Sequence, residues 1–453
     1  MKIAVCAICR NEYLYLKEWV SFYKLVGFDD IFIYDNLSND GTSELMLALD
    51  AENIIKRVFW PRIEGVPPQR SAYSHFINNF SSDYDFVLIC DLDELLIVPD
   101  YNVKLFLKHA LHDNPHIGAI AIPWLIFGSG GQEDYKNELV VDRFINCDES
   151  VSNVVKTIFR PSCVQNMRTH ICDLISGEYV AGDLTPASWH EIHPHWVINN
   201  NEDGAVIYYY YTKSKGEWIK RRSLPKADRP TLEKRHTDEY ELYSKQTRVN
   251  LKAKALSAGI YSIIQSIDAS LEGLSTRFNQ LKIKVIDLTN DWIFGVVEGA
   301  FEGVVILNLI INSELEFKIK VESLGNNNTP FIFKLKWFSP KIDNINLTLV
   351  GTGVSTTIKP QHFSDLNQKF KLLCEHFPSA EEHIFSSFVS LVGHGIDPKN
   401  TYIARALIFN KYLKHKFFIN HMLNYIESGN ASELLEFVSK NSNYRKFLPK
   451  NII

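Results

Sequence analysis

The sequence has no run of the roughly 20 apolar residues that a membrane-spanning helix needs. Its N-terminus, MKIAVCAICRNE, lacks the long apolar segment and small-residue cleavage site of a secretory signal peptide. We therefore expect a soluble, cytoplasmic protein, with any membrane contact peripheral and at the inner face of the membrane.

Cysteine is scarce: the 453 residues include seven, an odd number, mostly within apolar runs. This usage is typical of reduced thiols in a cytosolic protein. Cys6 and Cys9 form a CxxC, but there is no second CxxC and no pair of histidines close to it. The pattern favours buried packing residues over a zinc or redox site.

Neither sign of charge dominates, because 48 Lys and Arg balance 53 Asp and Glu to give a formal net charge of -5. Apolar residues make up 45% and charged residues 22% of the chain. This composition argues against a disordered chain and against a strongly basic surface for nucleic acid. The length suits about two to four domains, each with its own core.

Strand and helix patterns alternate through the first half of the chain. The β runs KIAVCAIC, DIFIYDN, IIKRVFW and FVLIC are separated by helical patterns. This order predicts an α/β domain with a mostly parallel sheet and helices on both faces. Polar clusters follow three of the runs, and ligands bind beyond the carboxyl ends of such strands, so we expect a pocket there.

After about residue 245 the pattern changes. We predict a catalytic domain over 1–245, a helical linker over 246–285, a small antiparallel β-sandwich accessory domain over 286–360 and a helical C-terminal region over 361–453. The helical region would suit a homodimer contact or, through its Lys- and Phe-rich segment YLKHKFFINHM, a membrane surface. A core-facing amphipathic helix explains that segment equally well.

Three acids, Asp91, Asp93 and Glu94, follow the apolar run FVLIC. Carboxylates clustered at the end of a buried strand repel one another unless a cation neutralises them, as a divalent ion bound to a diphosphate does. A bare DxD pattern is weak, and an acidic loop capping the next element is the alternative. The position at a strand end favours a metal-diphosphate site.

A second polar segment, DNLSNDGT, begins with Asp35 and Asn36 at a strand end. Its turn residues, including Asp40, are of the types that cap helices and turns locally. Asp35 is suited to accept a hydrogen bond from the imino group of a uracil. Arg10 and Asn11, at the end of the first β run, would wall the same pocket.

These motifs, together with VPPQRSAYSHF, PWLIFGSGG, VVDRF, VVKTIFRP and YYYYTKSKGEWIKRR, resemble bacterial family 2-like glycosyltransferases related to family 92. The likeness covers about residues 1–245. It implies a GT-A, Rossmann-like fold and a family DxD at Asp91 and Asp93. It also implies a metal-dependent hexosyltransferase that uses Mn²⁺ or Mg²⁺ and a nucleotide-diphosphate sugar.

The same resemblance suggests the substrates. The donor would be UDP-linked, with galactose as the suggested sugar, and transfer would be inverting. The acceptor would be a glycan or lipid-linked glycan in bacterial surface polysaccharide or lipooligosaccharide synthesis.

The resemblance also assigns candidate donor contacts. They are Arg10, Asn11, Asp35, Asn36, Asp40, Gln69, Asp91 and Lys213. Lys156 and Arg160 match the KxxxRP-like segment of the family, and Lys213 with Ser214 matches its KS. Lys213 or Arg221 would offset negative charge on the leaving diphosphate.

The chain departs from the family where Tyr209 stands in place of a histidine. If that histidine is a metal ligand in relatives, another ligand or water must replace it. We place His170 first, with Asp91 and Asp93, because the family tends to have a histidine after the RP segment. His190, His193 and His195 are alternatives, and a lone histidine is more often structural. The HxxH in WHEIHPHW lacks the i, i+4 helical spacing of HExxH, so we predict a loop near the acceptor or a packing cluster.

A general base is needed to deprotonate the acceptor hydroxyl. The loop FGSGGQEDY resembles the Gly-Gly-acid stretch of some inverting galactosyltransferases, which nominates Glu133 ahead of Asp134. Gln132 stands where relatives often carry a histidine, and two solvated loop acids are an equal alternative. Asp173 and Glu191 are further candidates.

Two function classes follow from these residues. The first is the glycosyltransferase, and the second is a catalytically degenerate sugar-binding or scaffold protein, which the Tyr209 and Gln132 departures favour. The retained DxDE, DNxSxDGT and KS motifs argue for the enzyme. A phosphotransferase is disfavoured, because the sequence has no GxxxxGKS loop and no GxGxxG.

Overall fold

The computed structural model describes residues 1–63, 65–223, 240–278, 280–288, 292–325, 327–334, 344–352, 354–358, 416–428 and 430–448. The chain forms two compact units, Met1–Thr276 and Arg277–Ile453. Each unit is described by itself.

The described residues of the first unit form thirteen strands and eight α-helices. The strands are β1 Ile3–Cys9, β2 Asp30–Asp35, β3 Lys56–Phe59, β4 Phe86–Ile89, β5 Glu94–Ile97, β6 Ile117–Ile126, β7 Asn146–Cys147, β8 Val155–Phe159, β9 Val164–Met167, β10 Cys172–Leu174, β11 Glu178–Ala181, β12 Val206–Tyr209 and β13 Arg248–Val249. The helices are α1 Tyr13–Leu25, α2 Thr42–Ala51, α3 Pro68–Asn79, α4 Val103–Asp113, α5 Val140–Arg143, α6 Lys215–Arg222, α7 Tyr240–Tyr243 and α8 Ser257–Phe278.

Nine of these strands form one mixed, mostly parallel sheet in the order β3-β2-β1-β4-β8-β6-β12-β5, with β11 added beside β6. Strands β1 to β4 are mutually parallel, and β8 runs antiparallel to both of its neighbours, β4 and β6. The prediction of an α/β domain with a mostly parallel sheet is confirmed.

The sequence of β1 explains its central place. All seven residues of IAVCAIC are buried, as expected for a strand that is covered on both faces. Trp19 and Phe22 of α1 belong to the core cluster on one face, and Tyr73 and Phe76 of α3 belong to the cluster on the other. The two helices therefore enclose the sheet.

The register of β1 and β2 brings their ends together. Cys9 lies opposite Asp35, and the backbone N–H of Asn36 donates to the Cys9 carbonyl at 3.0 Å. Since β4 is the other neighbour of β1, the polar segments after all three strands meet at one edge of the sheet.

The six described cysteines are free and buried, and Cys374 lies outside the described residues. Cys6 and Cys9 lie in β1, which confirms that this CxxC serves packing. Burial raises the pKa of both thiols well above their usual value.

Helix α8 follows the end of the predicted catalytic domain at residue 245. Ile260 and Ile267 belong to the large core cluster of the first unit. Asp268 forms an ion pair with Lys17 of α1, and Ser270 donates to Glu52 at the end of α2. The first unit therefore extends to Thr276, through much of the segment predicted as a linker.

The second unit contains antiparallel sheets of three and four strands, in the orders β14-β15-β18 and β17-β16-β19-β20. The strands are β14 Lys282–Leu288, β15 Trp292–Glu298, β16 Glu302–Ile311, β17 Leu315–Leu324, β18 Asn328–Lys334, β19 Ile345–Leu349 and β20 Val354–Ile358. Two helices, α9 Lys416–Ser428 and α10 Ser432–Lys440, lie in the region predicted to be helical, of which 361–415 is outside the described residues. No helix in the described ranges combines the length and apolar character required to cross a bilayer.

Candidate active site

The acidic segment leaves β4 and enters β5 at the sheet edge where the polar loops meet. Glu94 is fully buried, whereas the Asp91 side chain keeps 31% of its surface exposed. The indole N–H of Trp19 on α1 donates to the backbone carbonyls of Asp91 and Glu94, at 3.0 and 3.2 Å. Helix α1 therefore fixes the backbone of this segment.

Both carboxylate oxygens of Asp91 have protein donors. Gln69 Nε2 and the Tyr73 hydroxyl donate to Oδ1 at 2.9 and 3.2 Å, and Lys156 Nζ donates to Oδ2 at 2.8 Å. Gln69 and Tyr73 are one turn apart on α3, so one helix face presents both groups. Burial alone would raise the pKa of Asp91, but the Lys156 ammonium outweighs it and lowers that pKa.

Lys156 of β8 is fully buried between two acids. Its Nζ lies 3.4 Å from Glu94 Oε2 in addition to its contact with Asp91. Burial raises the pKa of Glu94 to about 8, with Lys156 opposing the shift and Asp91 adding to it. Burial disfavours the charged lysine, but the two acids raise the pKa of Lys156 well above its usual value. The lysine is thus the positive centre of a buried charge cluster.

Asp93 forms an ion pair with Arg221 in the last turn of α6. The Asp93 side chain is only 2% exposed, against 23% for Arg221. Burial opposes the charge on Arg221, but Asp93 raises its pKa above the usual value. Each aspartate of the DxD motif is therefore neutralised by a basic side chain of the protein.

Tyr209 ends β12 and lies opposite Glu94 in the sheet. Its ring packs against those of Trp124 and Tyr211, with centroids 4.7 and 5.0 Å away. Burial raises the pKa of the Tyr209 hydroxyl well above its usual value, and the charge of nearby Asp93 adds to the shift. The position that carries a histidine in the family pattern is thus beside the acidic segment.

The KS motif places a buried amine beside the loop after β1. Lys213 has a left-handed backbone, with φ of 51°, and its side chain is 5% exposed. Its Nζ lies 3.7 Å from Glu12 Oε2 and 3.2 Å from the centroid of the Tyr15 ring. Burial lowers the pKa of Lys213, with Glu12 opposing the shift. Ser214 then caps α6 in a capping box with Glu217.

Asp35 is fully buried, and protein donors occupy its carboxylate. Arg57 of β3 donates to Oδ2 through Nε at 2.9 Å and Nη2 at 2.6 Å, and Ser43 Oγ donates to Oδ1 at 2.8 Å. The neighbouring Asn36 donates from Nδ2 to the Trp60 carbonyl at 2.8 Å. Asp35, a predicted donor contact, is thus held in a buried ion pair, and its role in nucleotide binding stays a prediction.

Asn11 and Asp40 hold the two polar loops together. Asn11 has a left-handed backbone, with φ of 59°, and its Oδ1 accepts from the Asn39 N–H at 2.9 Å. Asp40 accepts from the backbone N–H groups of Tyr13 at 3.3 Å and Thr42 at 3.1 Å, so it caps the starts of α1 and α2. Local capping, the alternative for this turn, is therefore present.

Arg10 lies beside the same loops. Its Nε is buried and, among the described residues, has no hydrogen-bond partner. Burial lowers the pKa of Arg62, which follows β3, and the positive charge of Arg10 lowers it further. Arg10 and Arg62 therefore both lie at this edge of the sheet.

His170 is in the turn between β9 and β10. Its buried Nδ1 has no hydrogen-bond partner among the described residues. Burial lowers the pKa of His170 to about 3, with the charge of Lys156 adding to the shift and Asp91 opposing it. Its ring stacks on that of His195 with centroids 5.6 Å apart, whereas His193 packs on Trp196 at 4.2 Å.

A metal site is not preformed by these side chains. In the part of the chain that the structure describes, no three His, Cys, Asp or Glu side chains are grouped so that they could hold an ion. The set Asp91, Asp93 and His170 stays a prediction.

The loop with the candidate bases packs on the start of α6. The Gly216 N–H donates to the Glu133 carbonyl at 2.8 Å, and Lys215 Nζ lies 3.6 Å from Glu133 Oε2. The Glu133 side chain is 71% exposed, and Asp134 is also exposed. Gln132 donates to the Arg143 carbonyl at 2.7 Å, which ties the loop to α5. Both acids therefore remain accessible beside the helix that carries Arg221.

The two further base candidates lie apart from this loop, and Asp173 lines a cavity beside His170. Asp173 of β10 forms an ion pair with Arg168 at 2.9 Å. Glu191 is exposed in the loop after β11.

Three residues that contact the site are not predicted from the sequence: Trp19, Tyr73 and Arg57. Tyr73 follows Gln69 by four residues in a helical pattern, and this spacing was a usable signal. Nothing local marked Trp19 or Arg57, because their partners lie 72 and 22 residues away.

The sequence model of Glycosyltransferase family 92 matches residues 2–247, more than half of the chain. The chain belongs to this family. A family 92 protein of Oryza sativa subsp. japonica is 25% identical over 163 residues, which cover 36% of this chain and 27% of the rice protein. One of Arabidopsis thaliana is 31% identical over 101 residues, which cover 22% of this chain and 17% of the relative.

The matches thus span about a quarter or less of these plant relatives. They support family 92. The bacterial and family 2-like parts of the resemblance stay predictions.

Two solved structures align over larger shares at low similarity. S. aureus TarS covers 81% of this chain and 80% of its own at 11% identity and a TM-score of 0.27. The mannosyltransferase PcManGT from Pyrobaculum calidifontis, in complex with GDP-Man and Mn²⁺, covers 61% and 76% at 11% identity and a TM-score of 0.27. Scores of this size do not establish a shared fold, so the assignment depends on the family model.

Proposed function

We propose that this member of glycosyltransferase family 92 transfers a sugar from a nucleotide-diphosphate donor to a glycan acceptor. The observation that carries the proposal is the position of Asp91 and Asp93 at the carboxyl end of β4, beside the loops that follow β1 and β2. In open α/β sheets this edge binds nucleotides. We propose the GT-A fold for the catalytic domain, as the family resemblance implies.

The residues around this edge are suited to a diphosphate. Arg10 and Arg62 supply positive charge after β1 and β3, and Lys213 supplies another, with its Nζ 3.7 Å from Glu12 Oε2. Arginine suits phosphate because its planar donors can bind two oxygens at once.

Mn²⁺ or Mg²⁺ is part of the proposal. Asp91 and Asp93 provide carboxylates, the ligand type that both ions prefer, and the buried Nδ1 of His170 lacks a partner among the described residues. When bound, the ion would offset charge on the leaving diphosphate. Arg221 would compete with the ion for Asp93, because Arg221 is paired with its Oδ2.

The nucleotide and the base are assigned by the family resemblance. Asn11, Asn36 and Asp40 shape the nucleotide side, and Asp35 supports it through Arg57. We propose a UDP-linked donor with galactose as the first sugar to test, inverting transfer, and a bacterial surface glycan as acceptor. The enzyme would then act in the cytoplasm or at the inner face of the membrane.

Glu133 is the first candidate for the general base and Asp134 the second. Exposure of both side chains leaves them free to meet an acceptor hydroxyl.

Donor hydrolysis tests this function. UDP-, GDP-, CMP- and dTDP-sugars are incubated with Mn²⁺, Mg²⁺ or EDTA, for wild type, Asp93→Asn and a matched surface control, Asp113→Asn. We expect one donor to turn over with metal, the control to match wild type, and Asp93→Asn to lose about 100-fold or more, as for other groups that stabilise transition-state charge. Absence of turnover, together with absence of metal-dependent nucleotide binding by calorimetry, would contradict the proposal.

A degenerate sugar-binding or scaffold protein is the second candidate. The observation that favours it is that both DxD carboxylates already have basic partners, Lys156 and Arg221. Sugar binding without turnover of any donor would support this alternative.

A further inference from the structure

A cavity of about 540 Å³ lies beside the acidic segment, within the first unit. Helix α3, the β9–β10 hairpin and the loop around His195 line it, and it is partly open to solvent. Its volume is within the range of pockets that bury small organic ligands.

The cavity and the predicted nucleotide pocket are on opposite sides of β4. The nucleotide-side loops follow β1 and β2, whereas the cavity is attached to β8 through the hydrogen bond from Thr157 Oγ1 to the His170 carbonyl at 2.8 Å. Strand β4, which leads to Asp91, lies between β1 and β8 in the sheet. None of the predicted contacts to the nucleotide, Arg10, Asn11, Asp35, Asn36 or Asp40, lines the cavity, whereas His170, the predicted third metal ligand, does.

The cavity nevertheless reaches the proposed reaction centre. Arg70 lines it, and the preceding residue, Gln69, donates to Asp91 at 2.9 Å. A ligand in the cavity would therefore approach a donor at Asp91 from the side away from the nucleotide. That is the position an acceptor must take.

The charged side chains that line the cavity indicate which class of ligand it binds. Arg168 is paired with Asp173 at 2.9 Å, and these two charges cancel. Arg70 is exposed and forms no ion pair or side-chain hydrogen bond within the described residues. One positive charge is thus left without an acidic partner in the lining.

The remaining lining fits a sugar. Ser74, Asn166 and Thr169 offer groups that can bond hydroxyls, while Met167 and Pro194 offer apolar surface to a ring face. Arginine is the side chain best suited to bind carboxylate or phosphate through two parallel hydrogen bonds.

We propose that this cavity binds the acceptor, and that the acceptor carries a carboxylate or phosphate that pairs with Arg70. The proposal rests on the proposed function, and it names the acceptor class: an acidic or phosphorylated glycan.

Binding of simple anionic sugars tests it. Saturation-transfer NMR is recorded with D-glucuronate, glucose 1-phosphate and neutral D-glucose on the full chain. The variants are Arg70→Gln and a control, Lys108→Gln, which removes an exposed positive charge from α4. We expect at least one anionic sugar to bind wild type and control, and Arg70→Gln to weaken it about tenfold or more, because a charge-assisted hydrogen bond is lost.

The two anions identify the source of the charge: preference for glucuronate indicates an acidic sugar, and preference for glucose 1-phosphate a phosphorylated one. Failure of both to bind, or equal binding by Arg70→Gln, would overturn the proposal. Competition between UDP and the bound anion would also overturn it, because the cavity would then belong to the donor site. Donor hydrolysis distinguishes failure of this inference from failure of the proposed function. If a donor still turns over, the proposed function is intact and only this inference is rejected.

Discussion

Lys156 holds two acids together in the interior, and its removal would leave them without a counter-charge. Its Nζ contacts Asp91 at 2.8 Å and Glu94 at 3.4 Å, and its side chain has no exposed surface. Breaking a buried pair by removing one partner costs about 3–5 kcal/mol. We therefore expect Lys156→Met to lower the free energy of unfolding by an amount of this order, measured by urea denaturation with tryptophan fluorescence.

Two further variants make this result specific. Lys156→Met combined with Asp91→Asn should recover part of the loss, because Asp91 is the acid that Lys156 keeps charged and the amide carries no charge. Lys108→Met, on the exposed face of α4, should stay within about 0.5 kcal/mol of wild type. Equal stability of Lys156→Met and wild type would show that the lysine does not neutralise this cluster.

Arg221 competes with a cation for Asp93. If Asp93 is a metal ligand, Arg221→Gln should tighten Mn²⁺ binding about tenfold, since about 1.4 kcal/mol of competing attraction suffices for that change. Electron paramagnetic resonance of free Mn²⁺ measures the affinity without turnover. Arg221→Lys, which keeps the charge, should remain near wild type. Unchanged Mn²⁺ affinity in Arg221→Gln would remove Asp93 from the proposed ligand set.

Some residues of the site could be located from the sequence and others could not, depending on how far apart in the chain their contacts lie. Asp91 and Asp93 could be located from the sequence, because an acidic segment directly after an apolar strand must lie at a sheet edge. The Asp35–Arg57 pair could not, because it depends on the register that places Asp35 opposite Phe59 in β3. The contact of Lys156 with Asp91, 65 residues away, likewise depends on which strands are neighbours.

Among the elements, α1 and α5 are joined through a single buried carboxylate. Glu18 of α1 accepts from the backbone N–H of Val140 at 2.8 Å and of Val141 at 3.2 Å, the first residues of α5. Burial raises the pKa of Glu18 to about 7, although these hydrogen bonds oppose the shift. The carboxyl group therefore couples this junction to pH.

The sign of that dependence follows from the raised pKa. The unfolded chain loses the Glu18 proton near pH 4.5, whereas the folded chain keeps it to about pH 7. The contribution of Glu18 to the free energy of unfolding is therefore complete below pH 4.5 and is lost as the pH rises through 7. From pH 4.5 to 8, wild type should lose on the order of 2–3 kcal/mol more than Glu18→Gln, which cannot titrate. Parallel pH profiles of urea stability for the two proteins would contradict this.

The α/β alternation of the first half was predictable, since each strand and helix shows its own apolar period. The place of β8 was not. VVKTIF has the apolar character of the other central strands, yet it runs antiparallel between β4 and β6. Strand direction depends on how the chain returns to the sheet, which local periodicity does not encode.

At the scale of the whole molecule, we expect the first compact unit, Met1–Thr276, to be the part of the chain that can fold alone. The family model ends at residue 247, and the sequence pattern changes at about 245. The compact unit continues to Thr276 because α8 covers α1 and α2. Ile260 and Ile267 are buried in the same core as Trp19, and Asp268 pairs with Lys17.

A fragment ending at residue 245 should therefore be less stable than one ending at residue 276. Loss of Ile260 and Ile267 alone removes about 1.5–3 kcal/mol of burial each, and the core they cover becomes exposed. We expect fragment 1–276 to unfold cooperatively and to bind the same nucleotide as the full chain, and fragment 1–245 to aggregate or to unfold at a much lower urea concentration. Equal stability of the two fragments would show that α8 is an appended helix, and that the unit carrying the site ends where the family model ends.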